Sequence, residues 1–154
     1  MHLRLKCKGV QFYAAVTYSK KVKGVNSILP NGRHFLLFDF DDVEEHNVKA
    51  SLRAIQARYK LSSIYLINTG LTDYWHAYCF TSHSWPETLR ILADTPALDK
   101  VYFKIGVLRG YFTLRYSPKQ GRVFSEAQRL SSEVRADVDP YELDSFINYW
   151  TKRL

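Results

Sequence analysis

The stretch His34-Phe-Leu-Leu-Phe-Asp-Phe-Asp-Asp42 limits what this chain can fold into more than any other. Five large apolar residues, Phe35, Leu36, Leu37, Phe38 and Phe40, leave it no polar face, so the run predicts a strand covered on both sides. Its C-terminal end carries the acids. Side chains alternate across a strand, so Asp39 and Asp41 project from one face about 6 to 7 Å apart along the chain. That spacing lets both carboxylates reach one divalent cation, or a pair of cations about 4 Å apart, because hard cations take oxygen ligands. The same tripeptide also fits a solvated strand end with ordinary loop acids. Asp42 points the other way, and Asp42-Val-Glu-Glu45 reads as a capping box that opens the next helix with Asp42 at the N-cap.

A chain of 154 residues with 46% apolar content suits one compact domain with its own core. Lysine and arginine exceed aspartate and glutamate by 22 to 15, a net charge of +7, which points toward a polyanionic partner such as nucleic acid. Cys7 and Cys79 form no metal-ligand spacing, and no disulfide is expected between them. No apolar leader follows Met1, and no apolar run approaches the roughly 18 residues a bilayer span needs, so the expectation is a soluble, intracellular, cytoplasmic protein without a membrane partner.

From the start, Leu3, Leu5 and Cys7 alternate with Arg4, Lys6 and Lys8, the pattern of a half-buried strand with a basic face, and Val10 to Tyr18 predicts its hairpin partner. Ser19 to Gly24 reads as a basic turn containing Lys20 and Lys21. It is either a charged tip that blocks edge pairing or a clamp on a phosphate backbone. A loop from Asn26 to Arg33 leads to the central strand. The periodicity of Val48, Leu52, Ile55 and Tyr59 predicts a helix from Val43 to Tyr59. Strands follow at Ser62 to Asn68 and Tyr74 to Phe80, then a helix from Ser84 to Ala93 announced by Ser84-Trp-Pro-Glu87. Strands are expected at Lys100 to Val107 and Tyr111 to Tyr116, a short helix at Ser125 to Arg135, and a last helix after Asp139 with Leu143, Phe146, Ile147 and Trp150 as its stripe. The order is β-α-β-β-α-β. That predicts an α+β fold with an RRM-like, ferredoxin-like sheet at 34–120, a basic β-hairpin extension at 1–33 and C-terminal helices at 121–154.

Three groups could join the central acids. Trp75, Ala77 and Cys79 have core character, which places His76 and Tyr78 on the opposite, open face. There His76 is either a packed residue or a ligand for a phosphate oxygen. Asp99 precedes an expected strand, as a loop acid or as a third carboxylate. The run from Arg109 to Lys119 interleaves cations with aromatics: Arg115 shares strand parity with Tyr111 and Thr113, and such a segment can hold a triphosphate or a single strand. Lys119 and Arg122 also read as ordinary loop cations.

Together these pieces resemble the archaeo-eukaryotic primase superfamily over residues 35 to 120. Leu37-Phe-Asp39-Phe-Asp41 matches its hydrophobic-Asp-hydrophobic-Asp motif, Thr72-Asp-Tyr-Trp-His76 its small-residue and histidine motif, and Leu98-Asp99 its hydrophobic-Asp motif. Leu114-Arg-Tyr-Ser-Pro-Lys119 looks like the basic segment that follows. The resemblance implies a minimal primase or primase-polymerase core of the kind viruses or plasmids carry. Asp39, Asp41 and Asp99 would hold Mg²⁺ or Mn²⁺, and His76, Arg115 and Lys119 would bind nucleoside triphosphates. Arg4, Lys6, Lys8, Lys20, Lys21 and Arg109 would hold a single-stranded template or primer-template, with a helicase or another replication protein as a partner. There are two rivals: an open-sheet module that stacks single-stranded nucleic acid on Tyr78, Tyr111 and other aromatics without chemistry, and a metal-dependent nuclease using the same acids.

Overall fold

The computed structural model of the protein describes residues 2–7, 10–15, 19–117, 122–140, 143 and 146–152, with side chains for 22–117, 122–140 and 143. Nine strands and three helices are formed among them: β1 His2–Cys7, β2 Val10–Ala15, β3 Ser19–Asn26, β4 His34–Phe40, α1 Glu45–Tyr59, β5 Ile64–Asn68, β6 Trp75–His83, α2 Trp85–Ala93, α3 Lys100–Arg109, β7 Thr113–Arg115, β8 Gln128–Leu130 and β9 Phe146–Lys152. The class is α+β, and every strand pairing is antiparallel.

The central sheet has the order β4-β6-β5-β8. Strands β4 and β5 both run antiparallel to β6, so they are parallel to each other and need the long connection that α1 supplies. The predicted central strand is β4, and Phe35, Leu36, Leu37, Phe38 and Phe40 are all fully buried. Val48, Leu52 and Ile55 of α1 are buried in the same core, the stripe expected from their spacing. Each such side chain taken from water contributes roughly 1.5 to 3 kcal/mol, so this strand and helix face carry much of the burial energy. Alternation along β6 is as expected: Trp75, Ala77 and Cys79 are buried, whereas His76 and Tyr78 are half-buried on the other face. Cys79 is a free thiol. The second sheet, β7-β3-β9, meets the first through Ser27. The Ser27 hydroxyl accepts from Phe112 N at 3.0 Å and lies 3.0 Å from His34 Nδ1, while Ser27 N donates to Phe112 O at 2.8 Å and Ser27 O accepts from Phe35 N at 3.0 Å.

Several expectations are overturned. Lys100 to Val107 is a helix, not a strand: the Asp99 side chain accepts from Tyr102 N, and Gly110 at φ 77° closes the other end. Among the described residues the fourth strand of the expected sheet is therefore missing from the position beside β4. In its place the outer edge of β4 is covered by cross-links, with Tyr102 Oη donating to Leu37 O at 2.9 Å and Asp99 N to Asp39 O at 2.9 Å. The strand predicted at Tyr111 to Tyr116 shortens to β7 and pairs with β3 in the second sheet. Ser19 to Gly24 is no turn, since β3 runs through it between β7 and β9.

Ser125 to Arg135 contains the strand β8, added to the far edge of the central sheet beside β5. The last predicted helix is instead β9, whose β-branched and aromatic residues find a seven-residue partner in β3. Asp42 is not the N-cap of α1. Its backbone is left-handed at φ 61°, and Glu44 takes the capping position without a side-chain bond. By contrast Ser84 and Glu87 make the predicted capping box of α2.

Gly106 packs so closely that a Cβ there would stand 2.1 Å from the ring of Phe112, itself buried against Tyr102 and Trp85. Alanine in place of a helical glycine gains about 1 kcal/mol of propensity, but overpacking a filled site costs roughly 1 to 3 kcal/mol. Gly106→Ala is therefore expected to lose stability by up to about 2 kcal/mol in urea unfolding. A variant as stable as the wild type would show that Phe112 can move aside.

Candidate functional site

A cavity of about 460 Å³ opens at the C-terminal end of β4, and Asp39, Asp41 and Asp99 all face it. Backbone bonds bring the three together. Asp39 and Asp41 come from the strand and the residue after it, and the Asp99 N–H bonded to the Asp39 carbonyl fixes the start of α3 beside them. The rest of the lining comes from α3 and from the segment after it, including Ile105, Arg109 and Tyr111.

Because the Asp39 carbonyl points outward to Asp99, Asp39 and His76 face each other as a non-hydrogen-bonded pair, the kind that brings side chains closest. His76 Nε2 lies 3.4 Å from Asp39 Oδ1, with side chains only 12% and 21% exposed. This contact is not an ion pair at neutral pH. Burial holds the Asp39 carboxyl up at about 7, and the charges of Asp41 and Asp99 add to the effect. Burial likewise pushes His76 down to about 4, a shift the nearby Arg115 backbone partly offsets and the Arg115 guanidinium reinforces. His76 is thus a neutral imidazole, and its Nδ1 is buried with no hydrogen bond among the described residues. Phe124 closes over it edge-on at 5.9 Å between ring centres. Burial, with Asp39 as a second cause, raises the hydroxyls of Tyr78 and Tyr102 above the ordinary tyrosine range, so both stay neutral.

The acids expected to act together do share one cavity, with His76 beside Asp39 and Arg115 near His76 although it lies in the other sheet. Arg109 lines the acid cavity. Arg4 and Lys6 lie on β1, and Lys20 and Lys21 on β3, with side chains outside the described residues; Lys8 and Lys119 are outside them altogether. Among the described residues no three His, Cys, Asp or Glu side chains are already grouped as a metal site. Asp99 spends one carboxylate oxygen on capping α3, which leaves a carboxylate further acceptor capacity for a cation. The sequence reading did not anticipate Tyr102, Ile105 or Phe124 in this region. The Asp99 cap and Gly110, spaced as the ends of a ten-residue helix, were the signal for the first two.

A raised carboxyl makes a signed pH effect. In the unfolded chain Asp39 ionises near 3.8, and in the folded protein near 7, so the folded state holds the proton longer. The cost to stability is slight below pH 4, grows as pH rises between those values and is complete above about 7. In chelator, Asp39→Asn is expected to raise the thermal midpoint at pH 8 and to change it little at pH 4. A midpoint difference independent of pH would refute the raised carboxyl. No protein-family model matches the chain, and neither a curated protein nor a solved structure is significantly similar to it.

Proposed function

We propose that the protein is a metal-dependent nucleotidyltransferase acting on a nucleic-acid template, of the primase or primase-polymerase kind, built on an RRM-like half-sheet. The observation that carries this reading is the meeting of Asp39, Asp41 and Asp99 at one cavity in a chain of net charge +7. Carboxylates at the centre of a phosphate-binding face repel phosphate unless a cation lies between them. The donor set is all hard oxygen, which suits Mg²⁺ or Mn²⁺ held by Asp39, Asp41 and Asp99. The split arrangement of β4, α1, β5 and β6, with β6 inserted between β4 and β5, also agrees with the first half of a ferredoxin-like sheet.

When bound, two such ions supply activation of a 3′-hydroxyl and charge neutralisation of a triphosphate and its leaving pyrophosphate. The chain's own residues bind and orient. His76, neutral and partly covered by Phe124, has one ring nitrogen at Asp39, and its other, buried nitrogen would have to be uncovered to meet a phosphate oxygen, which it would do without adding charge. Arg115 and Lys119 supply the cations for the triphosphate. The basic residues Arg4, Lys6, Lys8, Lys20 and Lys21 hold the template through its backbone, and a helicase or another replication protein is the proposed partner.

The test is nucleotide incorporation on a single-stranded template, with and without primer, in Mg²⁺ or Mn²⁺. Template-dependent product is expected, lost at least a hundredfold in Asp41→Ala and reduced in His76→Ala. Intact template binding without product would favour a non-catalytic single-strand binder, and shortened template a nuclease. A second expectation concerns the ion alone. At a hundredfold excess over its dissociation constant a bound ion stabilises by about 2.7 kcal/mol. Mn²⁺ should therefore raise the thermal midpoint at pH 8, where Asp39 is charged, and raise it much less in Asp41→Ala. An equal rise in the variant would place the ion elsewhere.

A further inference from the structure

Helix α3 has an unusual surface. Val101 is 62% exposed and Ile105 40% exposed, one turn apart, and both line the acid cavity together with Arg109 a further turn on. Residues four apart stack along one helix face, so the cavity is a groove that follows α3 for about 12 Å. Its start is acidic, at Asp99; its middle is apolar; its end holds Arg109 and Tyr111. Tyr102, Gly106 and Phe112 line the cavity as well, packed on one another and on the core, and Phe103 on the far side of the helix also packs on Phe112. Val101 and Ile105, by contrast, are not among the described residues packed against the core, although both are large and apolar.

We infer that this groove is the seat of the nucleoside half of a nucleoside triphosphate, with sugar and base against Val101 and Ile105 and the base reaching Arg109 and Tyr111. The inference rests on the nucleotidyltransferase reading and names the substrate contact of the same site. Charge order along the groove selects the ligand class. A nucleotide carrying a divalent cation on its phosphates presents positive charge to the acids, an apolar flat body to the aliphatic wall, and a π-face on which a guanidinium or a tyrosine ring can stack. A volume of about 460 Å³ lies in the range of small-ligand sites, roughly 300 to 1,000 Å³. In this arrangement Arg109 contacts the base and not the template backbone.

The experiment compares binding of ATP with binding of inorganic tripolyphosphate, in Ca²⁺ by calorimetry, for the wild type, the double variant Val101→Ser with Ile105→Ser, and Leu108→Ser. Leu108 is 87% exposed on the same helix and does not line the cavity, so it controls for damage to α3. The wild type is expected to bind ATP more tightly than tripolyphosphate. The double variant should lose about tenfold in ATP affinity, the scale of a partly buried aliphatic contact, with tripolyphosphate unchanged. Leu108→Ser should change neither. Equal loss for both ligands, loss in the Leu108 control, no loss for ATP, or no ATP binding by the wild type would each overturn the inference. Asp41→Ala separates the two readings: if it leaves Ca²⁺-dependent binding of both ligands untouched while the double variant still discriminates, the wall stands and the metal role of the acids fails.

Discussion

Everything near the acids depends on how the outer edge of β4 is closed. Phe35 N, Leu37 O and Asp39 O share that edge, as residues two apart must, and each meets a partner from a different place in the chain: Ser27 O, Tyr102 Oη and Asp99 N. An uncovered edge of this kind invites pairing with another chain, and a run of buried phenylalanines beside it would make that pairing adhesive. Here it is covered by two loops and a tyrosine. The consequence reaches past stability. With the Asp39 carbonyl committed to Asp99, the first acid and the third are neighbours by backbone geometry before any side chain chooses a rotamer, and Asp39 is left facing His76 as a close pair.

That placement decides the electrostatics. The chain is basic overall, yet its cavity gathers three carboxylates, so the positive surplus has to be carried elsewhere. Burial withholds charge from the innermost acid and from its histidine neighbour together, which turns what would be an ion pair on paper into a contact between a half-protonated carboxyl and a neutral ring. A buried pair can settle this way because each charge would have to be desolvated, and 3.4 Å is too long for a strong hydrogen bond to repay both. A cation arriving at the cavity changes the balance by favouring the ionised acids. A cation there would therefore bind more tightly as pH rises through about 7, where Asp39 gives up its proton.

How much of this could be read from residues alone varies with the kind of signal. Strand β4, helix α1, the alternation of β6 and the capped start of α2 follow from patterns local to each segment, and the sequence reading reached all four. The short-range signals failed where the partner was distant. Phe146, Ile147 and Trp150 fit a helical stripe, but the same residues also suit a strand, and β3 lies ready to pair with them along seven residues. Ser19 to Gly24 looks like a charged tip until β7 and β9 are seen on either side of it. The three acids were each visible, whereas their meeting was expected only from the family resemblance: it depends on one backbone hydrogen bond spanning sixty residues of chain, and no spacing rule encodes that.

The misreading of Lys100 to Val107 is the most instructive because its cause is itself a functional signal. Amphipathic helices betray themselves by having one apolar face, and this one has two. One side is apolar because it packs on Phe112. The other is apolar although water reaches it, and there the core gives no reason for valine and isoleucine. Local rules tend to break where a surface has been kept for something other than folding. In α3 the break falls on Val101 and Ile105, which line the acid cavity, and on Val107 and Leu108, which do not, so the first pair is the part of the surplus a ligand in the cavity would cover.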